Sequence, residues 1–252
     1  MKESIPKIIH YCWFGRGRKP KDTVRYIDGW KTLMPDYQVI EWNEDNFDVH
    51  VCPYVKQAYD SKKFAFVSDY ARGHALYEMG GIYLDTDVEV LKAFDDLLGH
   101  RSLWGFEAGN YIATSTIGTI PRHEMIKTYL DQYHTRTFLK PDETPDQTTN
   151  VQVITKLWEQ QGVLLNNERQ TAGDDNLILP QECFSPYDYT LGTTASSRET
   201  YAIHHYEKTW LSPWARVKGN MKKKFAFVFG ERGVRLMRKM LLRKNSASDI
   251  HE

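Results

Sequence analysis

Residues 80–87 read Gly-Gly-Ile-Tyr-Leu-Asp-Thr-Asp, and no other segment restricts the fold as tightly. The two glycines stop the helical pattern before them, because glycine enters the left-handed conformation of a helix C-cap without strain. Ile82, Tyr83 and Leu84 then make an apolar run too short for a helix and suited to a buried strand. Asp85 and Asp87 follow at its carboxyl end, and Val88-Glu89-Val90 resumes an extended pattern. Ligands of open α/β sheets collect beyond the carboxyl ends of strands, so these carboxylates stand where a ligand would be. Upstream, Ala71, Ala75, Leu76 and Met79 keep helical spacing, and Ser68 or Asp69 is placed to cap or open that helix.

The flanking sequence alternates in the same way. An apolar, aromatic run at 7–13, closed by Gly15 and Gly17, predicts a strand, and 23–34 predicts a helix stopped by Pro35. A second strand is expected at 37–42 and a helix at 53–62, which together favour an α/β domain with a largely parallel sheet. Further strands are expected at 102–106, 112–118 and 201–205, and helices at 123–132 and 151–161. A soft boundary near residue 215 divides a body, 1–215, from a helical tail, 216–252, in which Val234, Met237, Met240 and Leu241 recur at helical spacing.

Charge sharpens that boundary. The 252 residues carry 33 Lys or Arg and 33 Asp or Glu, yet 216–244 holds eleven basic residues against the single Glu231. A neutral total therefore hides a basic arm on an acidic body. The acidic body and the lack of a nucleic-acid fold motif argue against nucleic-acid binding. Cys12, Cys52 and Cys183 are odd in number, widely spaced and read as reduced thiols, so a cytoplasmic setting is expected. The first residues lack the pattern of a secretory signal, and no apolar run approaches the length of a membrane span.

An Asp-x-Asp after an apolar strand suits a hard divalent cation, Mg²⁺ or Mn²⁺, whose preferred ligands are carboxylate oxygens. A bare Asp-x-Asp is weak evidence, since acidic loop pairs are usually solvated. What strengthens it is Ser68-Asp69-Tyr70-Ala71-Arg72 one helix length upstream. Each residue also has an ordinary reading: Trp13 as core, Ser68 as a cap, Asp69 with Arg72 as an i,i+3 ion pair, Tyr83 as a strand residue. Those readings leave the joint order unexplained. A glycoside hydrolase would place its carboxylates about 5 to 9.5 Å apart across a scissile bond, whereas two Asp residues one residue apart suit one cation better.

The block spanning 68–87 resembles the signature of the retaining Asp-x-Asp glycosyltransferases of family 32, and is similar to the glucosyltransferase domains of large clostridial toxins. Ile5-Pro-Lys-Ile-Ile-His-Tyr-Cys-Trp-Phe-Gly, Thr149-Asn150-Val151, and Ala202-Ile203-His204-His205 followed by Trp210 fit the same resemblance. It implies a GT-A type nucleotide-sugar-binding fold, a Rossmann-like mixed sheet flanked by helices, with a sugar moved from a nucleotide-sugar, UDP-linked by resemblance, to a glycan or lipid-linked acceptor. Mn²⁺ or Mg²⁺ is the implied cofactor, retention at the anomeric carbon the implied outcome, and surface polysaccharide synthesis the implied setting. By position, Trp13 would stack on the base, and Ser68, Asp69 and Arg72 would line the ribose and donor-sugar pocket. Tyr83 would pack beside the donor, Asp85 would face the ribose and sugar, and Asp87 would ligate the metal with Asp85. His205 or the adjacent His204 would be a late metal ligand, and Trp210 would close over the diphosphate. Asp69, Arg72, Asp85 and Asp87 form the implied catalytic set. Lys208-Thr209 stands where relatives often have a small residue before the Trp, so the details of that closure stay open. The alternative is a non-catalytic module that binds a nucleotide-sugar or glycan. The basic tail adds an expectation of peripheral contact with anionic membrane on the cytosolic face.

Overall fold

The computed structural model describes residues 3–108, 110–188 and 193–206. The chain divides into one unit of 1–186 with 196–206 and a second of 187–195 with 207–252. In chain order the elements are β1 Ile8–Cys12, α1 Lys21–Leu33, β2 Gln38–Trp42, α2 Pro53–Asp60, α3 Phe64–Met79, β3 Gly81–Leu84 and β4 Val88–Val90. Next come β5 Ser102–Glu107, β6 Tyr111–Ile112, β7 Thr116–Thr119, α4 Glu124–Asp131, α5 Asn150–Gln160, β8 Gln170–Ala172, β9 Asn176–Leu179 and α6 Gln181–Phe184. The described part of the second unit is a hairpin of β10 Tyr187–Asp188 and β11 Thr193–Thr194; β12 Ala202–His204 returns to the first.

The main sheet runs β2-β1-β3-β7-β5-β9-β8. β1 pairs parallel with both β2 and β3, and β5 pairs parallel with β9, while β7 runs antiparallel between β3 and β5. Five strands therefore share a direction, and the α/β architecture expected of a GT-A fold is present. Strand side chains alternate between faces, and the core follows that alternation. Ile82 and Leu84 pack with Tyr26, Ile27 and Trp30 of α1, whereas Tyr83 packs with Val67, Ala71 and Ala75 of α3. The sheet is thus clothed by α1 and α6 on one face and α2 to α5 on the other.

The turn between α3 and β3 requires its glycines. Gly80 has φ 63° and Gly81 φ 101°, and a Cβ on Gly81 would lie 2.6 Å from the Ile8 carbonyl oxygen. Buried His10 locks the same turn: its Nε2–H donates to the Gly80 carbonyl at 2.7 Å while Nδ1 accepts from Trp42 Nε1 at 3.1 Å. Burial lowers the His10 pKa to about 4, so the ring is neutral and holds that tautomer.

Two local expectations are corrected. α3 begins at Phe64, not at Ser68 or Asp69; Phe64 and Phe66 pack on the core and extend the helix, and Ser68 Oγ donates back to the Phe64 carbonyl at 3.0 Å. The strand expected at 112–118 is split, because residues 113–115 leave the ladder and turn their backbone to other partners. The hairpin β8–β9 was not anticipated. Trp210, the boundary near 215 and the basic tail lie outside the described residues.

Candidate active site

Asp85 follows directly on β3, and its backbone is fixed before its side chain is considered. Its N–H donates to the Ser115 carbonyl at 2.8 Å, and its own carbonyl accepts from Val88 at 3.0 Å, closing the Asp-Thr-Asp turn. The break at 113–115 thus serves this turn. Thr114 serves it too, since its carbonyl accepts from Arg72 Nη1 at 2.7 Å.

Arg72 projects from α3 and is almost fully buried. Its Nη2 bonds Asp69 Oδ1 at 3.0 Å and lies 3.3 Å from Asp85 Oδ1, and its guanidinium sits 4.6 Å from the Tyr83 ring centroid. Tyr83 OH donates to the same Asp85 oxygen at 3.0 Å. Burial alone would lower the Arg72 pKa, but Asp85, Tyr83 and Asp69 outweigh it and hold the cation charged. Asp69 takes a further bond from Asn150 Nδ2 at 2.7 Å, and Tyr129 OH donates to its backbone carbonyl at 2.7 Å. Burial raises the Asp69 carboxyl to about 6, with Arg72 opposing the rise and Asp85 adding to it. Asn150 is placed by a capping box at the start of α5: Thr149 Oγ1 accepts from Gln152 N, and the Gln152 side chain accepts from Thr149 N.

Asp87 meets a residue from the far end of the chain. β12 pairs antiparallel with β4, setting His204 opposite Val88. His204 Nε2 lies 3.3 Å from Asp87 Oδ1, and one ligand atom from each of Asp85, Asp87 and His204 falls within 4.8 Å of the others. Burial lowers the His204 pKa, but Asp87, Asp85 and Glu107 turn the net shift upward. His205 points elsewhere: its Nε2 pairs with Glu89 Oε2 at 2.8 Å and its ring stacks on Tyr26 at 5.0 Å. Successive side chains of an extended segment face opposite sides, so only one of the two histidines reaches the acidic pair.

The donor set fits a small divalent cation. Two carboxylates and an imidazole supply oxygen and nitrogen ligands for one divalent cation. The three carboxyl groups of Asp85, Asp87 and Glu107 also act electrostatically on one histidine, an excess of negative charge that such an ion would offset. Among the described residues His204 Nδ1 is buried without a hydrogen-bond partner.

Trp13 follows β1 and therefore stands, half-buried, at the same carboxyl edge of the sheet as Asp85. Its Nε1–H donates to the Gly17 carbonyl at 2.7 Å, and Lys19 Nζ lies 5.7 Å from its ring. Ser68 contributes its carbonyl, 3.4 Å from Arg72 Nε, while its hydroxyl stays within the helix. The sequence reading gave no role to Thr114, Tyr129, Glu107 or Tyr206. Glu107 carried a usable signal: like Asp85, it is an acidic residue ending an apolar strand.

Residues 20–104 match the family model described as a glycosyltransferase sugar-binding region containing a DXD motif, and that stretch includes Asp85-Thr86-Asp87. Over that stretch the chain is similar to the DXD-containing glycosyltransferases. Inositol phosphoceramide mannosyltransferase 3 of Schizosaccharomyces pombe is 29% identical over 137 residues, 47% of this chain and 38% of the relative. Inositol phosphoceramide mannosyltransferase 2 of the same organism is 28% identical over 170 residues, 62% of this chain and 46% of the relative. The chain thus spans less than half the length of these curated relatives. Among solved structures, the PaToxG glycosyltransferase is similar with a TM-score of 0.47 and 20% identity, covering 63% of this chain and 69% of the other.

Proposed function

We propose that the chain moves a sugar from a nucleotide-diphosphate donor to a hydroxyl acceptor, with Mn²⁺ or Mg²⁺ held by Asp85, Asp87 and His204. The observation that carries this reading is the convergence of two carboxylates and one imidazole within 4.8 Å, at a strand's carboxyl end in a DXD sugar-binding region. Bound there, the cation would offset charge developing on the departing diphosphate. The chain's own residues do the rest. Arg72 orients Asp85 and Asp69 by charge-assisted hydrogen bonds, Asn150 fixes Asp69, and Trp13 offers a ring for the base.

Transfer proceeds with retention. The anomeric carbon's bond to the phosphate oxygen breaks, its bond to the acceptor oxygen forms on the same face, and the acceptor's proton passes to the leaving phosphate. The donor is UDP-linked by resemblance, while the relatives' names make mannose a second sugar to test and favour a lipid-borne acceptor among the glycan and lipid-linked ones. A role in surface polysaccharide synthesis on the cytosolic face accords with a lipid-linked acceptor. The basic stretch at 216–244 would dock there on anionic lipid, each Lys or Arg contributing up to about 1 kcal/mol. Full-length protein should then sediment with phosphatidylserine vesicles at low salt and release at high salt; indifference to them at low salt removes that role.

Hydrolysis of donor without acceptor tests the central reading. UDP-glucose, UDP-galactose, UDP-N-acetylhexosamines and GDP-mannose are incubated with protein and Mn²⁺, or with a chelator. At least one should be consumed with Mn²⁺ and spared by the chelator. Tight binding with no consumption of any donor would instead favour a non-catalytic binding module.

A further inference from the structure

Glu107 ends β5, and the transfer chemistry above leaves it without a part. Its backbone direction is set by neighbours on the strand: Phe106 pairs with Ile112 and Glu107 with Tyr111 across β5–β6. Tyr206 OH donates to Glu107 Oε2 at 3.4 Å, and the Tyr206 ring lies against His204 with centroids 3.8 Å apart. The carboxylate is thereby tied into the corner occupied by His204 and the acidic pair. Its second oxygen makes no hydrogen bond to a described residue, and the one bond it has is long.

As a structural element this arrangement is poor. A half-buried carboxylate loses hydration, and here it stands near a second carboxylate, Asp85, with a single weak donor among the described residues to compensate. Burial pushes the Glu107 carboxyl up, His204 and Tyr206 pull it down, and Asp85 raises it again. A glutamine or an apolar residue would fill the space with less desolvation. What relieves a carboxylate in that position is a ligand rich in hydroxyl donors, and sugars are such ligands.

We propose that Glu107 accepts a hydrogen bond from a hydroxyl of the sugar being transferred, and so helps select which sugar the site takes. This rests on the reading of the cleft as a nucleotide-sugar site. The transferred sugar is bonded directly to the diphosphate, whereas the base is separated from it by the ribose. A group beside the residues that would hold the diphosphate's cation therefore faces the sugar. Loss of a hydrogen bond to a charged acceptor commonly weakens binding by about tenfold or more.

The test separates sugar contact from scaffold. Wild type, E107Q and E107A are titrated calorimetrically in Mn²⁺ with UDP and GDP, then with UDP-glucose, UDP-galactose and GDP-mannose. Affinity for the nucleotide diphosphate should stay within about twofold across the three proteins, while E107A binds the matching nucleotide-sugar about tenfold more weakly, with E107Q between. The order of preference among the sugars should also change. Equal losses for diphosphate and nucleotide-sugar would make Glu107 a structural residue, and no loss for either would remove it from the sugar; both overturn the inference. If wild type binds neither diphosphates nor nucleotide-sugars, the donor reading falls and the role of Glu107 falls with it.

Discussion

His204 Nε2 stands 3.3 Å from Asp87 Oδ1, although 117 positions separate the two in the chain. The antiparallel pairing of β12 with β4 brings them together, and it sends the next residue, His205, to Glu89 and Tyr26 instead. The two histidines should therefore separate cleanly under substitution. D87A and H204A should each lower Mn²⁺-dependent donor hydrolysis by about 100-fold or more, as expected when a group stabilising transition-state charge is lost. H205A should keep the rate and lose about 1 kcal/mol or less in urea unfolding, because its contact with Glu89 is partly exposed. Full activity in H204A with loss in H205A would reverse the assignment.

Arg72 is shared between Asp69 and Asp85 and capped by the Thr114 carbonyl. R72A leaves two acidic groups beside the space of a buried cation and should cost about 3 kcal/mol in chemical denaturation. R72K keeps a charge but cannot reproduce the forked geometry, so it should fold with a smaller loss and still show little donor hydrolysis. Near-normal hydrolysis in R72K would show that charge alone suffices.

Much of the fold was legible because its signals are local. The apolar runs at β1, β2, β3 and β5 and the glycine stop at Gly80 announced themselves, and so did Asp85, Asp87, Asp69 and Arg72 as a group. What local pattern could not reveal was pairing. The choice between His204 and His205 depends on the register of β12 against β4, fixed by residues more than 100 positions upstream. The break at 113–115 likewise looks like continuous strand until Arg72 and the Asp85 amide claim its carbonyls. Ser68 looked like a cap because the preceding Phe64-Ala65-Phe66-Val67 carries no polar N-cap of its own.

Asp69 makes stability and activity run in opposite directions with pH. Its folded-state carboxyl titrates at about 6, above the ordinary 3.8, so the folded protein holds this proton more tightly than the unfolded chain does. The stabilisation is fully present below about pH 4 and is lost as pH rises through 6, on the order of 3 kcal/mol. Urea unfolding of wild type minus D69N should show this decline, whereas donor hydrolysis by wild type should rise through pH 6 as the carboxylate forms. A wild-type stability curve parallel to that of D69N would contradict the shift.

Gly81 and Gly29 should respond oppositely to alanine. At Gly81 a Cβ meets the Ile8 carbonyl at 2.6 Å with φ at 101°, so G81A should lose about 2–4 kcal/mol and displace the strand that carries Asp85. Gly29 lies in α1 with open space around it, and G29A should gain about 0.5–1 kcal/mol. Thermal unfolding of both variants checks the pair; a stable G81A would mean that the turn tolerates a side chain.

The most direct measurement is calorimetric titration of wild type and D87A with a nucleotide-sugar, once in Mn²⁺ and once in chelator. Asp85, Asp87 and His204 acting as a cation site predict that wild type binds the donor at least about tenfold more tightly with Mn²⁺, and that D87A abolishes this difference while remaining folded. Equal affinity with Mn²⁺ and with chelator in wild type would contradict a bridging cation and the reading of the site built on it.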